Sequence, residues 1–109
     1  MYKVVFFVPE SHLENVKTAM FSVGAGLIGN YDCCAWQIKG EGQFRALEGS
    51  QAFIGKLNQL EKVEEFRVEL VCAEMHIKAA IQALIEAHPY ETPAIEVLKL
   101  IDVFSSENK

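Results

Sequence analysis

The chain has 109 residues and a formal net charge of −5, and half of its residues are hydrophobic. This length supports one domain, residues 1–104, and so small a domain buries only part of its own surface, which favours a homo-oligomer. The ten basic residues are scattered, and no apolar run approaches the roughly 18 residues of a membrane span, which argues against nucleic acid and membrane partners.

The first predicted elements are a strand and a helix. Tyr2–Val8 is apolar at nearly every position, which predicts a strand that is covered on both faces. This start lacks the cleavage site of a signal peptide, so we expect a cytoplasmic protein. Ser11 and Glu14 have the spacing of a capping box and predict a helix that opens at Ser11. Gly24 or Gly26 is expected to end that helix.

The rest of the chain alternates between strand and helix patterns. Residues at 66, 68, 70 and 72 are apolar at every second position, and apolar residues at 77, 81, 84 and 85 follow helical spacing. Four strands and two helices in this order predict an α+β fold, a ferredoxin-like βαββαβ sandwich with a four-stranded antiparallel sheet and two helices on one face. The predicted elements are a strand at 31–39, a glycine-rich loop at 40–62 with a short strand near Phe44, a strand at 63–72, a helix at 75–87, a strand at 94–103 and a polar tail at 105–109.

The run 24–29 spells G-x-G-x-x-G, the pattern of a dinucleotide-binding turn. In that motif the glycines follow a strand and open a helix, so that a pyrophosphate meets the helix N-terminus. Here the glycines close a helix and lead into a strand. The order predicts a helix cap followed by a tight turn, and no nucleotide site.

Cysteines and paired acids have simpler interpretations than catalysis. Cys33 and Cys34 are adjacent on a predicted strand, so they point to opposite faces and form no disulfide framework. No Cys–His–Asn arrangement is apparent in the sequence, which argues against a nucleophile. Glu64, Glu65 and Glu69 are interpreted as part of a solvated strand face.

The run 88–93, His-Pro-Tyr-Glu-Thr-Pro, is a stiff polar connector between the second helix and the last strand. An imidazole with a carboxylate suits zinc or copper, so His88 and Glu91 are candidate metal ligands, with the missing ligands supplied by a second subunit. The alternative is that His88 makes hydrogen bonds in the core and Glu91 caps a backbone amide.

Several motifs follow one another along residues 2–104. They are Gly26-Leu27-Ile28-Gly29-Asn30-Tyr31-Asp32, Cys34-Ala35-Trp36, Gly40-x-Gly42-x-Phe44-Arg45, Gly49, Ile54-Gly55, Glu61-x-Val63-x-Glu65-x-Arg67-x-Glu69 and His88-Pro89-Tyr90-Glu91-x-Pro93-Ala94. Together they resemble the domain inserted into many bacterial members of the Ngg-interacting-factor-three-like, dinuclear-metal-centre family, of which stand-alone copies exist. The last motif also resembles the divalent-cation tolerance protein CutA.

The resemblance implies a fold similar to CutA and the PII signalling proteins, which assemble as trimers. It also implies a ligand site in clefts between subunits, under the loop that follows the second strand. Candidate ligand-binding residues are then Gly40, Gly42, Arg45 and Tyr90. Ala46 and Ala52 replace prolines of the family pattern, and the dinuclear metal core of the larger proteins has no counterpart in this chain.

These observations favour a non-catalytic oligomer, a trimer, that binds a small ligand or a metal ion in regulation or homeostasis. One alternative is a hydrolase or isomerase that uses His88 and Glu91 as an acid–base pair. A second alternative is a protein-interaction module without a ligand. The enzyme alternative lacks a nucleophile and an oxyanion site in the sequence.

Overall fold

A computed structural model, which describes residues 1–104, confirms the ferredoxin-like α+β fold. All strand pairs are antiparallel, and the order across the single four-stranded sheet is β2-β3-β1-β4. Among the described residues no helix is long and apolar enough to cross a membrane. The elements are β1 Tyr2–Val8, α1 Glu10–Ser22, β2 Trp36–Arg45, β3 Leu60–Cys72, a short 3-10 helix Glu74–His76, α2 Ile77–Ala87 and β4 Ile95–Lys99.

The core lies between the two helices and one face of the sheet. Alternate residues of β1 and β3 point to this side, because strand side chains alternate between faces. The prediction that the apolar residues of α2 face the core is right for Leu84, which is fully buried. It is wrong for Ile85, which is half exposed. Ala80, one turn before Leu84, takes the inward place. The sheet contributes Val4, Phe6, Val8, Val68, Leu70 and Cys72, and α1 contributes Leu13, Val16 and Met20.

The opposite side of the sheet, here called the open face, mixes charged and apolar side chains. Val5 lies in its middle and is 1% exposed although it points away from the helices. Glu69, opposite Val5, forms ion pairs with Lys3 at 2.9 Å and with Arg67 at 3.3 Å. The hydrogen bond from Lys3 lowers the pKa of the Glu69 carboxyl. The same face also carries three half-exposed apolar residues, Trp36, Ile38 and Leu98.

The predicted capping box of α1 is wrong. The helix starts at Glu10, directly after Pro9, and no side chain caps it. Ser11 therefore lies inside the first turn, where its hydroxyl contacts Nδ1 of His12 at 2.8 Å. Pro9 explains the earlier start, since its fixed φ and missing N–H suit a helix entrance.

The predicted glycine cap at the end of α1 is present. Gly24 has φ +107°, and its N–H bonds to the carbonyl of Phe21, while the N–H of Ala25 bonds to the carbonyl of Met20. These two bonds form a Schellman motif, in which glycine takes the left-handed position. The run 24–29 therefore ends a helix, whereas the glycines of a dinucleotide-binding turn open one.

The second strand is shifted relative to its prediction. It begins at Trp36, because residues 28–31 form a tight turn and the N–H of Cys34 bonds to the carbonyl of Gly26 at 2.9 Å. Cys33 and Cys34 therefore lie in a loop and not on a strand. β2 instead runs through Gly40 and Gly42 to Arg45, which leaves 46–59 as the loop. β4 is shorter than predicted, and the predicted tail, residues 105–109, lies outside the described residues.

β2 and β3 continue beyond the rest of the sheet as a two-stranded ribbon. The pairing of β1 with β3 ends at Val8 and Phe66, so residues 60–65 of β3 are paired with β2 alone. An isolated two-stranded ribbon is marginally stable in water and needs packing on at least one side. The loop 46–59 and the connector 88–94 supply this packing, and a groove forms between them and the ribbon.

Candidate functional site

The groove encloses about 460 Å³ beyond the carboxyl end of β1. This volume is in the range of small-molecule sites. Its wall combines the open side of the ribbon, the loop 46–59 and the connector 88–94, three segments that are far apart in the sequence. Most of the lining is apolar, including Phe7, Phe44, Ala46, Phe53, Ile54 and Val63.

A hydrogen bond between the connector and the ribbon crosses the groove wall. The Tyr90 hydroxyl donates to Oε2 of Glu65 at 3.1 Å. Burial of the phenol and the adjacent Glu65 carboxylate together raise the pKa of Tyr90 to about 12, so the hydroxyl keeps its proton at neutral pH. Gly42 makes room for this carboxylate, because a Cβ at Gly42 would collide with Glu65 Oε1. Gly42 is thus required for the position of Glu65.

His88 is buried at the start of the connector, and both of its ring nitrogens are engaged. Nε2 lies 2.6 Å from the carbonyl oxygen of Phe7, and Nδ1 accepts a hydrogen bond from the N–H of Tyr90 at 3.1 Å. The ring is therefore neutral with its proton on Nε2, and its burial lowers the pKa of His88. In this conformation neither nitrogen has a lone pair free for a cation.

Glu91 points to the loop and not to His88. Its Oε1 accepts a hydrogen bond from the backbone N–H of Gln51 at 2.9 Å, which attaches the loop 46–59 to the connector. Nowhere in residues 1–104 do three or more His, Cys, Asp or Glu side chains form a cluster that could hold a metal ion. This geometry corresponds to the alternative interpretation of the connector, in which His88 makes hydrogen bonds in the core and Glu91 caps a backbone amide.

A chain of ring contacts holds the loop on the body of the domain. Phe53 packs edge-on against His12 with 5.7 Å between ring centroids, and it also lies 6.3 Å from Tyr90. Tyr90 in turn lies 4.7 Å from the ring of His88. Aromatic pairs at such distances stabilise modestly beyond the area that they bury. These contacts hold the loop 46–59 in place, although Ala46 and Ala52 replace the prolines of the family pattern.

One buried side-chain oxygen in the groove wall has no hydrogen-bond partner among the described residues. The hydroxyl oxygen of Ser50 is buried, and nothing within residues 1–104 forms a hydrogen bond with it. Ser50 also lines the groove. A buried hydroxyl that is left unpaired costs about 1–3 kcal/mol, so such an atom indicates a missing partner.

The sequence identified part of this site. Of the candidate residues, Gly42, Tyr90 and Glu91 line the groove, whereas Gly40, Arg45 and His88 do not. Glu65 was interpreted as solvated, yet it is partly buried in the groove wall. Its position two residues after Val63, on the same face of the strand, could have indicated this. Ser50 and Phe53 carry no sequence signal, because the loop that places them has no regular periodicity.

Similar proteins share both the sequence and the fold of this chain. A GTP cyclohydrolase 1 type 2 homolog of Halalkalibacterium halodurans is 43% identical over 100 residues, which are 92% of this chain and 27% of that protein. The structure of a Bacillus cereus protein related to NIF3 is 40% identical with a TM-score of 0.79, over 93% of this chain and 26% of that one. The resemblance to a domain of the Ngg-interacting-factor-three-like (NIF3-like) family is confirmed. The chain spans about a quarter of the length of these relatives.

More distant structures share the fold alone. CutA of Pyrococcus horikoshii is 23% identical with a TM-score of 0.66, over 94% of this chain and 87% of that one. The periplasmic divalent cation tolerance protein CutA of Archaeoglobus fulgidus is 16% identical with a TM-score of 0.64, over 98% of this chain and 90% of that one. No protein-family model matches the chain.

Proposed function

We propose that this NIF3-related domain is a non-catalytic binding module that holds a small organic molecule in the groove. The observation that supports this most is the hydroxyl of Ser50, which is buried in an apolar wall and has no hydrogen-bond partner among residues 1–104. A ligand with one polar group would form the missing hydrogen bond with Ser50. The apolar part of that ligand would cover the phenylalanine side chains that line the groove. Few polar groups in an apolar concavity are typical of small-molecule sites.

The geometry favours binding over catalysis. The acid–base alternative needs His88 and Glu91 side by side, but His88 is bonded to Phe7 and Tyr90, and Glu91 is bonded to Gln51. Neither group is free to exchange a proton with a bound molecule, which a general acid or base must do. The chain matches only about a quarter of the length of its longer relatives, so the proposal does not include their whole-protein activities.

The proposal includes self-association, and a trimer in particular, through the open face. Trp36, Ile38 and Leu98 leave about half of their surface in water, around the ion pairs of Glu69. Exposed apolar side chains grouped in such a rim on one sheet face are typical of an interaction site. Because the groove borders the same side of the ribbon, a neighbouring subunit would close its open mouth.

A divalent cation is a second candidate ligand, favoured by the CutA fold. One of its members is called a divalent cation tolerance protein. Coordination by His88 would require the ring to release either the carbonyl of Phe7 or the amide of Tyr90. Such a site would be weak and would take its remaining ligands from a second subunit or from water.

Titration of the ¹⁵N-labelled chain with tryptophol, a neutral indole alcohol, tests the binding proposal. We expect saturable shifts of the amides of Gly42, Ser50 and Tyr90, and we expect Ala52→Trp, which fills the groove, to abolish them. Saturable shifts confined to the open face, or no saturable shift at millimolar probe, would contradict the proposal.

A further inference from the structure

The charged side chains described in the groove lining all carry the same sign. Among the described residues that line it two are acidic, Glu65 and Glu91, and none is basic. The groove wall therefore has a negative potential that is strengthened by its apolar surroundings, because charges interact more strongly where water is excluded.

Neither carboxylate forms an ion pair within residues 1–104. The ion pairs found in residues 1–104 join Lys3 and Arg67 to Glu69, Lys17 to Glu14 and Lys39 to Glu64, and none includes a groove residue. Within residues 1–104 the hydrogen-bond partner of Glu65 is the neutral Tyr90 hydroxyl. Glu65 is partly buried, and the attraction between a carboxylate and a cation is stronger there than in open water.

The other walls also suit a cation. Phe44, Phe53 and Tyr90 add aromatic surface to the groove lining, and a fourth ring, Phe7, already has the guanidinium of Arg67 5.9 Å from its centroid. Ring faces attract ammonium groups through their quadrupole. The unpaired oxygen of Ser50 can accept a hydrogen bond from an N–H donor.

On these grounds we propose that the groove takes a small protonated amine with an apolar or aromatic body, with its ammonium group at Glu65. This inference rests on the proposed binding function and specifies its ligand class. It disfavours anions such as nucleotides and other phosphates, which would meet two carboxylates and no basic side chain.

The test compares three probes of nearly equal shape on the ¹⁵N-labelled chain: tryptamine, a cation; tryptophol, a neutral alcohol; and indole-3-acetate, an anion. We expect tryptamine to bind at least about tenfold more tightly than tryptophol, because one charge-assisted hydrogen bond contributes about that factor. Indole-3-acetate should give no saturable shift at Gly42, Ser50 or Tyr90. This comparison needs no variant and so does not depend on the stability of one.

A pair of variants assigns the effect to one carboxylate. Glu65→Gln keeps an acceptor for Tyr90 and removes the charge, and it should reduce tryptamine affinity to that of tryptophol. Glu64→Gln removes the same charge one residue away, from a side chain that pairs with Lys39, and should leave tryptamine affinity unchanged.

The outcomes separate the ligand class from the binding function. If indole-3-acetate binds as tightly as tryptamine, or if Glu65→Gln leaves tryptamine affinity unchanged while tryptophol still binds in the groove, the amine assignment is wrong and the groove remains a binding site. If none of the three probes binds there, both proposals are overturned.

Discussion

The Tyr90 hydroxyl donates a hydrogen bond to the carboxylate of Glu65, a residue 25 positions earlier in the chain, at 3.1 Å. This bond joins the connector after α2 to the part of β3 that has no neighbour in β1. It also fixes the carboxylate at the position where Gly42 leaves room for it. The same contact thus supports the ribbon and defines the charged wall of the groove.

Tyr90→Phe should lower the free energy of unfolding by about 1 kcal/mol, since a hydrogen bond to a charged but partly solvated acceptor is lost while the ring remains. Urea denaturation monitored by circular dichroism measures the change. Tyr31→Phe is a matched control, because Tyr31 is 74% exposed. Equal effects of the two substitutions would show that the Tyr90–Glu65 bond contributes no stability.

The elements with strong periodicity were predictable from the sequence. β1 is apolar at nearly every position, β3 alternates between apolar and polar residues, and α2 has apolar residues at helical spacing. The fold follows from the order of these elements. The spacing of Ser11 and Glu14 predicts too late a start for α1, because Pro9, whose fixed φ suits a helix entrance, sets the start at Glu10. β2 was shifted because glycines at 40 and 42 are typical of loops, although here they pair in the ladder opposite Glu65 and Val63.

The site was only partly predictable, for a different reason. The connector 88–93 stands out through its prolines, but its partners lie in segments distant in the sequence. Glu65 and the carbonyl of Phe7 become neighbours of Tyr90 and His88 only when β1 and β3 are paired. A pattern within one segment cannot show that His88 already has two partners.

His88→Ala should lower the free energy of unfolding by about 2–4 kcal/mol, because it leaves the Phe7 carbonyl and the Tyr90 amide without their partners and opens a cavity. His76→Ala, on a partly exposed histidine, is the control and should cost much less. Zinc calorimetry on the same variants separates the two interpretations of His88. Loss of zinc binding in His88→Ala at unchanged stability would favour a metal ligand over a structural role.

Stability should decrease on acidification because of His88. Burial lowers the pKa of this group below its ordinary value of 6.5, so the unfolded chain binds the proton more readily than the folded one. The contribution of the neutral ring is complete above about pH 6.5 and is lost as the pH falls through the lower folded pKa. Urea midpoints at about pH 7.5 and about pH 5.5 should differ more for the wild type than for His88→Gln. An identical pH dependence of the two proteins would contradict the assignment.

Ile38→Glu should dissociate the assembly, because it places a charge in the apolar rim of the open face. Light scattering of the wild type should give a multiple of the 12.2 kDa chain mass, and the variant should give the mass of one chain. Ile85→Glu on the outer side of α2 is the control, since Ile85 is 49% exposed and Ile38 is 52% exposed. A wild type that scatters as a single chain would contradict the proposed interface.

A crystal structure of the chain soaked with tryptophol tests the binding proposal most directly. We expect density for the indole ring between Phe53 and the ribbon, with the alcohol within hydrogen-bond distance of the Ser50 hydroxyl. Tryptophol bound only at the open face, or an empty groove in which the Ser50 hydroxyl bonds to another protein group, would contradict the claim that this groove is a ligand site.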